Sequence, residues 1–447
     1  MERMIMKCNR RLFFASWNLL FVLPAVLAIC LATLPARAAT LVVTSTADSG
    51  PGSLRQAISD ANSGDTIAFA DTLSGSRIVL TNGQLVLTRS LTIDASTLPS
   101  GITISGNNTS RIFYVTAGAT NVVLDSLTIT NGFADGIGGG ILANSGSSLT
   151  LNHCTLVRNL ATYSGGGIYF SGLARQLIKN CTISGNWSLY GGGISAANCY
   201  LDIKQCTISQ NTAYGQGGGV FVDQGCKARL LQCTVVSNTA PSGNGGGAYV
   251  IELLGFINSI IAANYGDDIS LSFGVGRGSC GGVNIIESLP GSSGYPFAGT
   301  GTIINASPML APLGNYGGPT RTMPPLAGSP AIDGCTNGTP FATDQRGCPR
   351  TLGLFADIGA TEGVYNPAGP GKLTGPTRLD DGSMEFTLTN YSDMSFTVLA
   401  STNVTLPASQ WSALGSAVES PPGSGQYSFT DPQAGDYPHR FYRVCWP

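Results

Sequence analysis

Ser164-Gly165-Gly166-Gly167-Ile168-Tyr169-Phe170 returns as Tyr190-Gly191-Gly192-Gly193-Ile194-Ser195-Ala196 and again as Gln216-Gly217-Gly218-Gly219-Val220-Phe221-Val222. Two further triplets stand at 138–140 and 245–247, so the five starts lie 27, 26, 26 and 28 residues apart. A period in the twenties marks one supersecondary unit copied and stacked. Outward from the glycines, other columns align. One reads Ser126, Cys154, Cys181, Cys206, Cys233, Ser259, and a second, five places on, reads Asn131, Asn159, Asn186, Asn211, Asn238, Asn264. Thr155, Thr182, Thr207 and Thr234 follow the cysteines, and Leu156, Ile183, Ile208 and Val235 follow the threonines. Cys in, Thr out, Ile or Val in is the period-two alternation of a strand.

A unit this thin cannot bury its own apolar face and becomes stable only when neighbours stack. The fold class expected is therefore all-β, a parallel β-helix, with rungs about 4.8 Å apart. Stacked Asn side chains hydrogen-bond along their column. Glycine supplies positive φ and close backbone approach at the corners.

Residues 1–38 read as a signal peptide: basic Arg3, Lys7, Arg10 and Arg11, an apolar run from Trp17 to Leu34, then Ala36-Arg37-Ala38 as a cleavage site. No later stretch is apolar enough to span a membrane. Charged residues make up only 11% of the chain and the net charge is −2, which argues against a nucleic-acid partner. Of twelve cysteines, four sit in the inward column as small hydrophobes. Cys199 with Cys226, and Cys335 with Cys348, are the candidate pairs, while Cys280 and Cys445 have no evident mate. The absence of CxxC speaks against zinc, and no cofactor is expected.

Before the repeats, Ser53 and Gln56 form a capping-box pattern, and Leu54, Ala57, Ile58 and Ala61 make one apolar helical face. This predicts a short helix plugging the first rung. After them come Asn315-Tyr316-Gly317-Gly318-Pro319-Thr320, Gly328-Ser329-Pro330-Ala331-Ile332-Asp333, Asp344-Gln345-Arg346-Gly347-Cys348-Pro349-Arg350 and Asp357-Ile358-Gly359-Ala360-Thr361-Glu362. This segment, with Thr46-Ala47-Asp48-Ser49-Gly50-Pro51-Gly52-Ser53-Leu54-Arg55-Gln56-Ala57-Ile58, resembles secreted bacterial right-handed β-helix proteins with a choice-of-anchor Q region. The glycine-triplet and Asn elements are similar to polymorphic outer-membrane-protein repeats, with Ile where those favour Phe. The resemblance covers roughly residues 41–362. It implies export, surface display and a right-handed solenoid, and no defined reaction. Residues 363–376 read as a Gly/Pro linker. From 377 to 447, runs such as Phe396-Thr397-Val398-Leu399-Ala400 and Phe441-Tyr442-Arg443-Val444 alternate like sandwich strands and resemble immunoglobulin-like C-terminal modules of exported proteins. The solenoid with its caps is thus expected over 39–362.

Chemistry is sparse. His153 stands beside the Cys column next to Asp125 and Asn180 and reads as one rung of a polar ladder; His439 has no nucleophile near it in sequence, so a Ser-His-Asp triad is poorly supported. Asp267-Asp268 is the only adjacent acid pair of the repeats. Asp333, Asp344, Arg346, Arg350, Asp357 and Glu362 read as an ion-pair network in preference to a Ca²⁺ site. No catalytic or metal-ligating residue is assigned. The loops after the Asn column carry Phe133, Tyr163, Trp187, Tyr190, Tyr214 and Tyr265, one per rung or so, and aromatic faces stack on sugar rings. A second outward set is Tyr169, Phe221 and Tyr249. The function expected is a non-catalytic, monomeric surface solenoid, an adhesin or glycan-binding scaffold with polysaccharide as partner. The alternative is a polysaccharide lyase or glycoside hydrolase whose groups converge only in three dimensions.

Overall fold

The computed structural model describes residues 38–288, 297–351, 353–363, 373–389, 396–406, 410–421 and 426–445. The signal segment and most of the linker expected over 363–376 lie outside them.

The chain winds as a right-handed parallel β-solenoid of about ten coils. Each coil contributes one strand to each of two ten-stranded sheets. The first sheet runs from Thr40–Val43 to Arg277–Gly281, the second from Arg77–Val79 to Thr302–Ile304. A third, eight-stranded sheet runs from Leu85–Leu87 to Ile269–Leu271, and four central coils add a short fourth sheet from Phe133–Ala134 to Thr212–Gln216. All pairings in the solenoid's sheets are parallel, and those of the three long sheets are in register, for instance Thr155↔Thr182↔Thr207↔Thr234; in the fourth sheet the register shifts between Ser188 and Tyr190. Periodicity in sequence thereby becomes a vertical file of side chains.

The inward file of cysteines is as expected from Cys154 onward: the Cys154 amide donates to Cys181 Sγ (3.3 Å), and the Cys181 amide to Cys206 Sγ (3.4 Å). In the Asn file, Nδ2 of Asn159, Asn186, Asn211 and Asn238 donates to Oδ1 of the next Asn at 2.9–3.0 Å, and that same Oδ1 takes the backbone N–H of the donor residue. Asp268 ends the ladder, its Oδ1 accepting from both the amide and Nδ2 of Asn264.

The coil that holds Ser126 and Asn131 corrects the column alignment by one residue. Leu127, not Ser126, heads the Cys file, because Thr128 pairs with Thr155. Gly132, not Asn131, heads the Asn file, its amide donating to Asn159 Oδ1 (2.8 Å). Ser126 and Asn131 sit instead at bends, with φ +60° and +54°. These bends are themselves files. Ser126, His153, Asn180, Gln205, Gln232 and Asn258 each join first-sheet to second-sheet strands by a single residue of left-handed conformation. Asn and His tolerate that region better than most residues, so polar side chains make these bends, which had been expected of glycine. The glycine triplets have two other reasons to be there. Gly191 has φ +61°, and a Cβ on Gly192 would fall 2.4 Å from the Thr212 carbonyl of the next coil.

At the N-terminal end the helix Leu54–Asp60 buries Leu54, Ala57 and Ile58. Ser53 caps it by accepting the Gln56 amide, but the Gln56 side chain bonds Asp60, so only half of the capping box forms. Asp48 and Arg55, both in the motif that precedes the repeats, pair at 2.6 Å, and Arg55 also donates to the Gly83 and Gln84 carbonyls.

After the last coil Phe297 packs edge-to-face on Phe256 of the solenoid core, and the segment from about residue 305 to 363 follows. It folds back along the second sheet. Gln345, fully buried, donates to the Cys181 carbonyl, Thr182 Oγ1 and Thr320 Oγ1, and accepts from Thr207 Oγ1. The Ala360 amide donates to Thr234 Oγ1. The outward threonines of these coils are therefore buried, beneath the returning chain. Ala331, Cys335, Ala356 and Ile358 pack on Val236, Ile260 and Ile285 as a separate apolar cluster.

Residues 374–445 form a six-stranded antiparallel sheet whose core is Leu388, Phe396, Val398, Ala417, Tyr427 and Val444. Its first strand already spans Thr374–Arg378. A disulfide joins Cys348 of the returning segment to Cys445 of this sheet, 97 residues on. The pairing of Cys335 with Cys348 is thus excluded: Cys335 is a buried thiol donating to the Asp357 carbonyl. Cys199 and Cys226 are buried free thiols with sulfurs 3.5 Å apart.

Candidate functional site

The aromatic residues divide between surface and packing. Phe133, Leu160, Trp187, Thr212, Thr239 and Tyr265 share one file of the edge built around the fourth sheet. Tyr163, Trp187, Tyr214 and Tyr265 are exposed at 56, 42, 60 and 69%. Trp187 meets Tyr214 edge-to-face at 5.0 Å. Phe133 and Tyr190 are half-buried. Tyr190 lies over Gly215, where a Cβ would meet its ring at 3.0 Å, so it fills a gap between coils. Of the six residues singled out, four face water and two pack.

The second set adjoins the first. Tyr169, Ser195, Phe221 and Tyr249 stand in one outward file of the third sheet. Ser195 leaves room that the Tyr190 ring enters, and the rings of Tyr163, Tyr190, Phe221 and Tyr249 then follow one another at 5.4, 5.4 and 6.0 Å. A line of rings therefore runs parallel to the solenoid axis, with one ring per coil. Burial and the neighbouring Asp223 push the Tyr169 hydroxyl's pKa up, which keeps that group neutral.

A second feature was not foreseen. The returning segment covers the second sheet only from about Thr182 onward. Before that point the sheet's outward face is the floor of a cleft of about 540 Å³. Ser126, Thr128, His153 and Thr155 form the floor; Asn315 and Pro319 form one wall, and Leu406, Trp411, Tyr442 and Arg443 of the C-terminal sheet form the other. The desolvated Arg443 has its pKa lowered by burial and by Arg346. The repeat period places His153, but nothing periodic signals the docking of a non-repetitive module against it.

His153 is held from two sides. Its Nδ1 lies 3.6 Å from Asp125 Oδ1, and Asn180 Nδ2 lies 3.1 Å from its Nε2. Asp125 and Asn180 thereby hold the ring by its two nitrogens. Burial pushes the Asp125 carboxyl up, and hydrogen bonds from His153, Asn152 and Ser126 outweigh it and bring it below the usual range. Ser126 Oγ donates to Asp125 at 2.8 Å, and Nε2 faces an amide, so no serine–histidine relay forms here.

The acids and arginines of the returning segment do form a network. Arg346 pairs with Asp344 at 2.9 Å and Arg350 with Glu362 at 3.9 Å, all four side chains essentially inaccessible. Arg350 also donates to the Asp357 carbonyl at 2.9 Å. Burial pushes the Asp357 carboxyl up to about 6 despite hydrogen bonds from the Asp333 and Gly363 amides. Among the described residues no group of three His, Cys, Asp or Glu side chains is arranged to hold a metal ion.

Residues 76–272 match the family model described as a right handed beta helix region. One solved structure, titled "Crystal structure of pectate lyase Pel9A", aligns with 13% identity and a TM-score of 0.49 over 74% of this chain and 98% of that chain. No curated protein matches by sequence.

Proposed function

We propose that this protein is an exported, non-catalytic β-solenoid that binds neutral glycan along its aromatic edge. The observation that carries this reading is the exposure of Tyr163, Trp187, Tyr214 and Tyr265 on one side of a rigid stack. Packed rings would be covered; these four are not. Aromatic faces are apolar with polar tips, which suits the alternately apolar and hydroxylated surface of a sugar. Tyr163, Trp187 and Tyr214 stand on consecutive coils and Tyr265 two coils beyond, at about 4.8 Å per coil, so a linear polymer running along the stack can touch several at once. Export rests on the amino-terminal signal pattern and surface display on the anchor-region resemblance. The C-terminal sheet, read as immunoglobulin-like, serves as a spacer fixed to the solenoid. A glycan array together with pull-down on cell-wall polymers is the test: retention of at least one neutral glycan supports the reading, and blank results on both overturn it.

The enzymatic alternative, a lyase or glycoside hydrolase, has one place to stand. The cleft brings His153, Tyr442 and Arg443 around a hydroxyl-lined floor, with Asp94 and Asp125 on adjacent first-sheet strands nearby. Release of reducing ends or unsaturated products from a polysaccharide panel, abolished by His153→Ala, would favour that alternative over the scaffold.

A further inference from the structure

The scarcity of charge in the repeats conceals where the charges stand. On the first five strands of the first sheet, Thr40–Val43 to Leu149–Asn152, there is no Lys or Arg. The next five strands carry Arg175, Lys179, Lys204, Lys227, Arg229 and Arg277. Strict register puts them all on the outward face. Arg175, Tyr200, Lys227, Leu253 and Arg277 form one file; Leu177, Asp202, Arg229, Gly255 and Ser279 form the next; Lys179 and Lys204 stand in the third. Spread over a hundred residues of sequence, the six cations fall on an area of about 19 by 13 Å, taking about 4.8 Å per strand and 3.3 Å per residue.

Within this area Asp202 is the only strand carboxylate, and it is already engaged by Arg229 at 3.1 Å and Lys204 at 3.9 Å. Glu252 lies at the margin. Arg175, Lys179, Lys227 and Arg277 are exposed and make no ion pair among the described residues. Lys227 Nζ lies 5.9 Å from the centre of the exposed Tyr200 ring, and both line a shallow groove with Arg175, Arg229 and Ser279. Unpaired cations held on a flat, rigid sheet repel one another, and an anionic partner removes that repulsion.

We propose that this half of the first sheet is a binding face for an anionic polysaccharide, separate from the aromatic edge. The spacing selects the partner. Cations repeat along a straight axis at intervals of one or two strands, which suits a linear glycan with one carboxylate or sulfate per sugar. A nucleic-acid duplex carries a charge about every 1.7 Å along a helical path, which a flat array of six cannot follow. The aromatic Tyr200 and the hydroxyl of Ser279 offer contacts for a sugar ring beside the charges.

The test uses the full chain with polygalacturonate as a carboxylated probe and heparin as a sulfated one, beside duplex DNA and phosphatidylglycerol vesicles. Retention on either glycan at low salt is expected. The variant K179Q/K227Q/R277Q should weaken it at least tenfold and flatten its salt dependence. W187A/Y214A should leave it unchanged, and neutral-glycan binding by the triple variant should persist, so that the two sites succeed or fail independently. Which of the two glycans binds identifies carboxylate or sulfate. The proposal is overturned if neither glycan is retained, if the triple variant binds like the parent, or if DNA or vesicles bind as tightly through the same cations. Unchanged thermal unfolding of the variant certifies its fold; should it unfold, the single variant K227E provides the same comparison.

Discussion

Asn211 shows how much rests on one side chain. Its Oδ1 takes both the amide and the Nδ2 of Asn186, and its own Nδ2 reaches Asn238 and the Ile183 carbonyl. Asn211→Ala strands two buried donors of Asn186 and is expected to lower the unfolding free energy by about 3 kcal/mol in urea titration, since each buried group left unpaired costs about 1–3 kcal/mol. A loss below half a kcal/mol would mean that the ladder is ornamental. Asp357 gives a pH signature. Burial raises its carboxyl in the folded protein to about 6, above the ordinary aspartate range. The group therefore favours the fold when protonated, and that contribution, of order 3 kcal/mol, is fully present below about pH 4 and lost as pH rises through 6. The stability difference between the parent and Asp357→Asn should accordingly shift in favour of the variant between pH 4 and 6.5; a difference constant over that range would refute the assignment. At this scale the sequence was largely readable. The Asn and Cys columns declared themselves because identical residues recur. The one-place slip at Ser126 and Asn131 arose because Ser and Asn also suit left-handed bends, so residue type alone could not tell file from corner.

At the scale of elements, strand alternation predicted the coils, and the apolar face 54–61 predicted the helix at the first rung. The returning segment was harder. Its motifs were read only through a resemblance, and only the structure shows that Gln345 reaches back 163 residues to Thr182 and Thr320 reaches back 140 residues to the Asn180 carbonyl, and so cover that part of the second sheet. Long-range contacts without a period leave no trace in a single sequence. The Cys348–Cys445 bond is of the same kind. It ties the C-terminal sheet to the solenoid across a loop of about a hundred residues, for which chain entropy alone gives up to about 4.7 kcal/mol. Reduction, or C348S/C445S, should therefore make the C-terminal sheet the first part released in limited proteolysis, with the solenoid core left intact. Equal resistance of the reduced and oxidised forms would show that packing, not the bond, holds the module in place.

For the whole molecule, the stack turns a weakly charged, glycine-rich sequence into faces of distinct character. One face is covered by the returning chain and the C-terminal sheet, one edge presents rings, and one half-sheet presents cations. The ring edge was legible because aromatics recur at the coil period. The cations were not, because they occupy different files and only register unites them. The cleft around His153 needed the position of a module that no repeat encodes. The most direct test of the account is calorimetric titration of a neutral oligosaccharide, chosen from the array, into the parent protein and into W187A/Y214A. The account predicts saturable binding by the parent and an affinity at least tenfold weaker in the variant, with both proteins unfolding at the same temperature. Equal affinity in the two would contradict it.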